Sequence, residues 1–267
     1  MKIQQRTVSK VFGLALLTLC STKIYAAPIT GQVNLNATVG VSASTIDFYS
    51  LIGSACGIAS PGVQGCFGIN NPSDGNFASL ALGYQLGNLI KDLSGPPITG
   101  NIALSQFLVF NNNIIFDLTR VLPGTGPACD PTLGNNPGYT CTPSVGGNLS
   151  PFTLQNSAAG PNNTAPTNAS VSFNVEVLAY LTDTIFGTSN YVGAFSTQAA
   201  GMNIAGILST INPARTGGGG TVVAAYSANF NGTPNNPVPE PATLGTLGIG
   251  LAAIVLGGLR KKARSVK

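Results

Sequence analysis

Catalysis by a polypeptide needs side chains that carry protons, attack carbon or hold a metal, and this sequence offers few of them. Histidine is absent from all 267 residues. That removes Ser-His-Asp and Cys-His nucleophilic catalysis together with imidazole metal ligation. Between residues 27 and 238 the acids are Asp47, Asp74, Asp92, Asp117, Asp130, Glu176 and Asp183. A glycosidase needs two carboxylates flanking one bond, so it would take two of the aspartates or Glu176 with one of them. The spacing selects no such pair. A serine–lysine arrangement has Lys91 alone to draw on, and no Ser-x-x-Lys precedes it. The run Asn70-Asn71-Pro72-Ser73-Asp74-Gly75-Asn76 is rich in oxygen and could turn around Ca²⁺, but it lacks EF-hand ligand spacing and reads equally as a plain Asx turn. The expectation is a protein that is not an enzyme and has no metal and no cofactor.

The cysteines carry chemistry of another kind. Setting aside Cys20, four remain: Cys56, Cys66, Cys129 and Cys141. An even number in an oxidising compartment implies disulfides. Sequence-local pairing gives Cys56–Cys66 and Cys129–Cys141, one of three possible connectivities. A zinc site is the rival, but the spacing is not Cys-x-x-Cys and no histidine can complete it.

The elements that hold these residues read as strands. Val33, Leu35, Ala37, Val39 and Val41 alternate with polar residues, the period of a half-buried strand. The same alternation runs through Val171–Leu181, with Tyr191–Thr197 as its expected neighbour, and through Thr221–Phe230. Shorter strand candidates are 45–51, 77–82, 87–93 and 151–155, with two more in 102–122 around the turn Asn111-Asn112-Asn113. Asn203–Ile211 is the one short helix, stopped by Pro213. Gly/Pro-rich loops at 53–75 and 123–147 hold the cysteine pairs. These signals predict an all-β domain over 27–230, built as a β-sandwich, with 231–237 as a polar linker.

The formal net charge of +4 comes from the two ends of the chain. Between 27 and 238 the basic residues are Lys91, Arg120 and Arg215 against seven acids, a net of −4. No nucleic-acid partner is expected, because phosphate binding needs clustered lysine and arginine. Solubility rests instead on neutral Asn, Ser, Thr and Gly, which suits an exposed surface protein.

Lys2, Arg6 and Lys10 precede the apolar run Val11–Leu19, and Ile24-Tyr25-Ala26 ends in a small residue. That is a secretory signal peptide over 1–26, cleaved after Ala26. Ala242–Leu259 is a stretch of 18 residues without a charge. As a helix it would cover roughly 27 Å, close to the hydrocarbon thickness of a bilayer. Arg260, Lys261, Lys262 and Arg264 follow as a stop-transfer block that keeps the tail 260–267 cytoplasmic. Pro239 and Pro241 hold the chain extended just before the span, with Glu240 between them.

Val-Pro-Glu-Pro, an apolar span and a basic cluster, in that order over 238–267, resemble the PEP-CTERM sorting signal of bacterial exported proteins. The resemblance implies export, handling by a membrane-embedded exosortase at Pro239, Glu240 and Pro241, and a place at the cell surface, often beside extracellular polysaccharide. The chain itself would be a substrate, anchored in the inner membrane by its helix and then surface-bound or extracellular. It implies nothing about the task of the domain between the two signals. A structural or adhesive component of the cell surface or biofilm matrix is the leading expectation. A carbohydrate-binding module for matrix polysaccharide is the alternative, disfavoured by the lack of tryptophan. A secreted hydrolase comes third.

Overall fold

The computed structural model describes residues 28–42, 45–49, 65–71, 73–94, 99–145, 148–159, 164–182, 188–211 and 220–234. Fourteen strands are assigned there. They are β1 (Gln32–Val41), β2 (Thr45–Tyr49), β3 (Gly65–Asn70), β4 (Gly83–Ile90), β5 (Leu93–Ser94), β6 (Gly100–Val109) and β7 (Ile114–Val121). The rest are β8 (Thr140–Cys141), β9 (Ser144–Val145), β10 (Asn148–Leu149), β11 (Thr153–Asn156), β12 (Ala169–Leu181), β13 (Ser189–Ala199) and β14 (Val222–Pro234). One helix, α1, spans Ile204–Ile211.

The alternating segments behave as their periodicity dictates. In β1 the odd-numbered Val33, Leu35, Ala37 and Val39 are buried while Asn34, Asn36 and Thr38 face partly outward. β12 repeats the pattern with Val171, Phe173, Val175, Val177 and Ala179 inside. β13 pairs with β12 over eleven positions from Ala169↔Ala199 to Ala179↔Ser189, so these two strands are neighbours as expected.

The expected sandwich is corrected by the pairing. Hydrogen-bonded neighbours run β13-β14-β1-β3-β4-β6-β7-β12, and β12 then pairs back to β13. Every one of these pairings is antiparallel. The sheet is therefore a closed eight-stranded antiparallel barrel. A period of two reports which face of a strand meets the core, and that face is the same in a sandwich and a barrel. Closure is decided by edge pairing, which leaves no trace in periodicity. β2 and β5 extend the wall beside β1, while β11 and β8 extend it beside β12.

A barrel of eight strands is just wide enough for side chains to fill it, and here rings fill it. Phe195 stacks on Phe173 with centroids 4.5 Å apart and meets Phe48, Tyr226 and Phe230 at 5.5–5.8 Å. Phe116 meets Phe77, Phe110, Tyr191 and Phe230 within 5.9 Å. The hydroxyls of Tyr191 and Tyr226 are buried among these rings without a hydrogen-bond partner, and burial holds both phenols well above their ordinary pKa.

The two poles of the barrel are closed differently. At one pole β1 ends and β14 begins, and α1 covers the opening with Ile204, Ile207 and Ile211 buried against Val41, Val171 and Val222. We call this the helix pole. At the opposite pole β1 begins and β14 ends, with Gln32 paired to Asn231. There the expected strand 77–82 is instead a 3-10 turn, Gly75–Phe77, that turns Phe77 and Leu80 inward as a plug. We call it the terminal pole. β14 runs on to Pro234, through the first four residues read as linker, because Asn231–Pro234 pair with Val192–Ser189 of β13.

Among the described residues no helix is long and apolar enough to cross a membrane. The expected signal peptide, 1–26, and the expected span, 242–259, lie outside the described residues.

Candidate functional site

The residues expected to handle sorting, Pro239, Glu240, Pro241, Arg260, Lys261, Lys262 and Arg264, all lie outside the described residues. The cysteine expectation is met at Cys129–Cys141, which form a disulfide with a Cα separation of 4.8 Å. Cys66 is disulfide-bonded too, and its expected partner Cys56 lies outside the described residues.

The Cys129–Cys141 loop is built onto the helix pole. Its 3-10 turn, Pro131–Leu133, is capped by Asp130, whose carboxylate accepts from Thr132 N at 2.8 Å. Asn156 is the clamp. It is buried, and its Nδ2 donates to the carbonyls of Gly134 and Asn136 at 2.9 Å each. Its Oδ1 accepts from Ile204 N, the first residue of α1, at 2.8 Å. One amide thus ties two loop carbonyls to the first N–H of the helix.

The oxygen-rich run 70–76 is used up by the backbone. Asp74 Oδ1 accepts from Gln32 N at 2.6 Å, and Asn76 Oδ1 accepts from Thr30 N at 2.8 Å. Ser73 Oγ donates to Asn70 O. These side chains pin the start of β1, and among the described residues no three His, Cys, Asp or Glu side chains gather into a metal-binding group.

The structure does bring two acids together that spacing could not select. The β2–β5 register pairs Thr45 with Ser94 and Ile46 with Leu93, so Asp47 and Asp92 fall opposite each other just beyond it. Asp92 Oδ1 accepts from Phe48 N at 2.7 Å, while its Oδ2 is buried without a donor. Burial and the neighbouring Asp47 push the Asp92 carboxyl up from 3.8 to about 6, against the opposing pull of the Phe48 N–H. Burial, with help from Asp47 and Asp92, also raises the Tyr49 phenol. Glycosidase carboxylates stand about 5 Å or more apart so that a sugar bond or water fits between them. Here Asp92 instead gives one carboxylate oxygen to the Phe48 backbone.

A half-buried carboxyl beside a second acid makes stability depend on pH. The folded state holds the Asp92 proton more tightly than the unfolded chain, so its contribution is fully present below about pH 4 and is lost as pH rises through about 6. Asp92→Asn keeps an acceptor for Phe48 N and removes the charge. We expect the variant to be more stable than the parent at pH 7 by about 1 kcal/mol after allowing for solvent screening, and to lose that advantage at pH 4. Urea denaturation at the two pH values measures it; an equal difference at both would exclude the raised Asp92 carboxyl.

An open recess lies on the outer wall near the helix pole. Gln155 of β11 is opposite Ser170 of β12, which is opposite Gln198 of β13. With Ser157 and Asn168 they line a groove of about 260 Å³ that carries no charged residue. The next row along the same strands is Thr153, Ser172 and Ser196. Adjacent strands are about 4.8 Å apart, so these rows form a grid of neutral donors and acceptors. Sequence reading missed it because its members come from three strands and acquire a pattern only through register.

Fold and site together define a small disulfide-bonded β-barrel with a filled interior and a neutral, hydrogen-bonding outer wall. Beyond it, residues 237–262 match the family model described as PEP-CTERM protein-sorting motif. The chain carries that motif where its sequence led us to expect it. No curated protein and no solved structure matches the chain.

Proposed function

We propose that this is a non-enzymatic exported surface protein, sorted by an exosortase and serving as a structural or adhesive component of the cell surface or its polysaccharide matrix. The observation that carries the sorting part is the PEP-CTERM match at 237–262, which begins a few residues after the last barrel strand ends at Pro234. In this reading the signal peptide 1–26 directs export, helix 242–259 anchors the chain in the inner membrane, and the exosortase acts around Pro239, Glu240 and Pro241. The barrel is then the cargo. Its packed interior and low charge fit a role exercised through its outer surface.

The neutral groove between β11, β12 and β13 favours a second reading, a carbohydrate-binding module. Side-by-side amides and hydroxyls without charge suit a hydroxyl-rich, uncharged ligand. The groove has no aromatic platform among its lining residues.

The test of sorting is the C-terminal mass of the protein recovered from surface and membrane fractions of its host. We expect surface material to end near Val238–Pro241. A chain that still carries Lys267 in every fraction would overturn exosortase handling and leave a simply anchored protein. Offering the released barrel purified matrix polysaccharide then separates the two readings, since a binding module saturates and a structural component need not.

A further inference from the structure

We propose that the terminal pole of the barrel is a membrane-contacting surface, with Leu82 and Leu86 seated in the interface of a phospholipid bilayer. The proposal rests on the anchoring reading above. Leu82 and Leu86 are 54% and 68% exposed, and they bracket Tyr84 on the first half of β4. That half belongs to the terminal pole. Gly83 and Tyr84 pair with Ile69 and Gly68 of β3, whose Asn70 pairs with Asn34 near the start of β1. Gly87 lies against Asn111 in the β6–β7 turn. Val192, 51% exposed, approaches the same pole on the opposite wall, beside Asn231.

The occupant follows from where the chain leaves the barrel. β1 begins and β14 ends at this pole, and residues 235–241 lie between Pro234 and the apolar span. Seven residues, three of them proline, reach at most about 25 Å. A thirteen-residue strand such as β14 is about 43 Å long. In the anchoring reading the tether limits the end of β14, at the terminal pole, to about 25 Å from the lipid. Lys91 follows β4 and Arg120 lies near the end of β7, so among the described residues no lysine or arginine marks the terminal pole. Contact with lipid there would be apolar, through the two leucines, and insensitive to salt.

The chain contains no tryptophan, so a single introduced indole reports its own surroundings. The full chain is reconstituted into phosphatidylcholine vesicles with or without brominated acyl chains, as Leu86→Trp, as Leu82→Trp, and as Leu133→Trp. Leu133 is also exposed but sits by α1 at the helix pole. We expect brominated lipid to quench Leu86→Trp or Leu82→Trp emission at least twofold and to leave Leu133→Trp unchanged. Flotation of the vesicles is recorded on the same samples. A chain that floats with both pole reporters unquenched overturns the membrane contact alone. A chain that does not float overturns the anchoring and the contact with it.

Discussion

Phe195→Ala is expected to destabilise the barrel by about 4 kcal/mol, the upper part of the range for emptying a buried aromatic site. Phe195 is 1% exposed and its ring packs with Phe48, Phe107, Phe173, Tyr226 and Phe230, which come from four other strands. Truncation leaves a void that none of them can fill without giving up its own contacts. Phe152→Ala is the comparison: it is equally buried, but its ring meets Phe173 alone among the aromatic pairs. It should cost measurably less. Denaturant midpoints at constant slope give both values. Because whole domains are stable by only about 5–15 kcal/mol, the Phe195 variant should sit near the edge of folding at 37 °C. A loss under about 2 kcal/mol would mean that the rings repack freely and that the interior is not a fixed lattice.

Opening the Cys129–Cys141 disulfide is the second large effect. The closed loop spans 12 residues, and the chain-entropy estimate for such a loop is roughly 3 kcal/mol. The loss should appear locally. The loop is tied to α1 through Ala205 N to Gly134 O at 3.2 Å, and through the three Asn156 bonds. α1 in turn covers one pole. With both cysteines replaced by serine, amide exchange in α1 should accelerate about a hundredfold while β12 and β13, paired on both edges, exchange as before. Equal acceleration everywhere would show that the loop supports the whole barrel instead of its cover.

The parts of the fold that were legible in sequence are those that local spacing controls. Alternation marked β1, β12, β13 and β14, the segment Asn203–Ile211 ahead of Pro213 marked α1, and short separation marked Cys129–Cys141 as a pair. Closure of the barrel was not legible, since β1 finds β14 across nearly the whole domain and no local residue type encodes that partner. The stretch 77–82 misled because Phe77 and Leu80 are apolar for the sake of a plug, and positive φ at Gly75 and Gly83 bounds it as a turn. Asp47 with Asp92, and Ser170 with Gln155 on one side and Gln198 on the other, became neighbours only through register.

The seam between the first and last strands sets a timetable for the protein. β14 is hydrogen-bonded along one edge to β1 and along the other to β13, so the ring stays open until residues 222–234 are present. A chain exported from its N-terminus would deliver them last, after the other strands have waited with unpaired edges. Long-range pairing of this kind is slow and exposes sticky edges while it is incomplete. In the anchoring reading proposed above, delivery of the closing strand would coincide with arrival of the span 242–259 a few residues behind it. The anchor would then act as a nursery, holding each molecule apart from its siblings until the ring has shut, and cleavage would release finished barrels only.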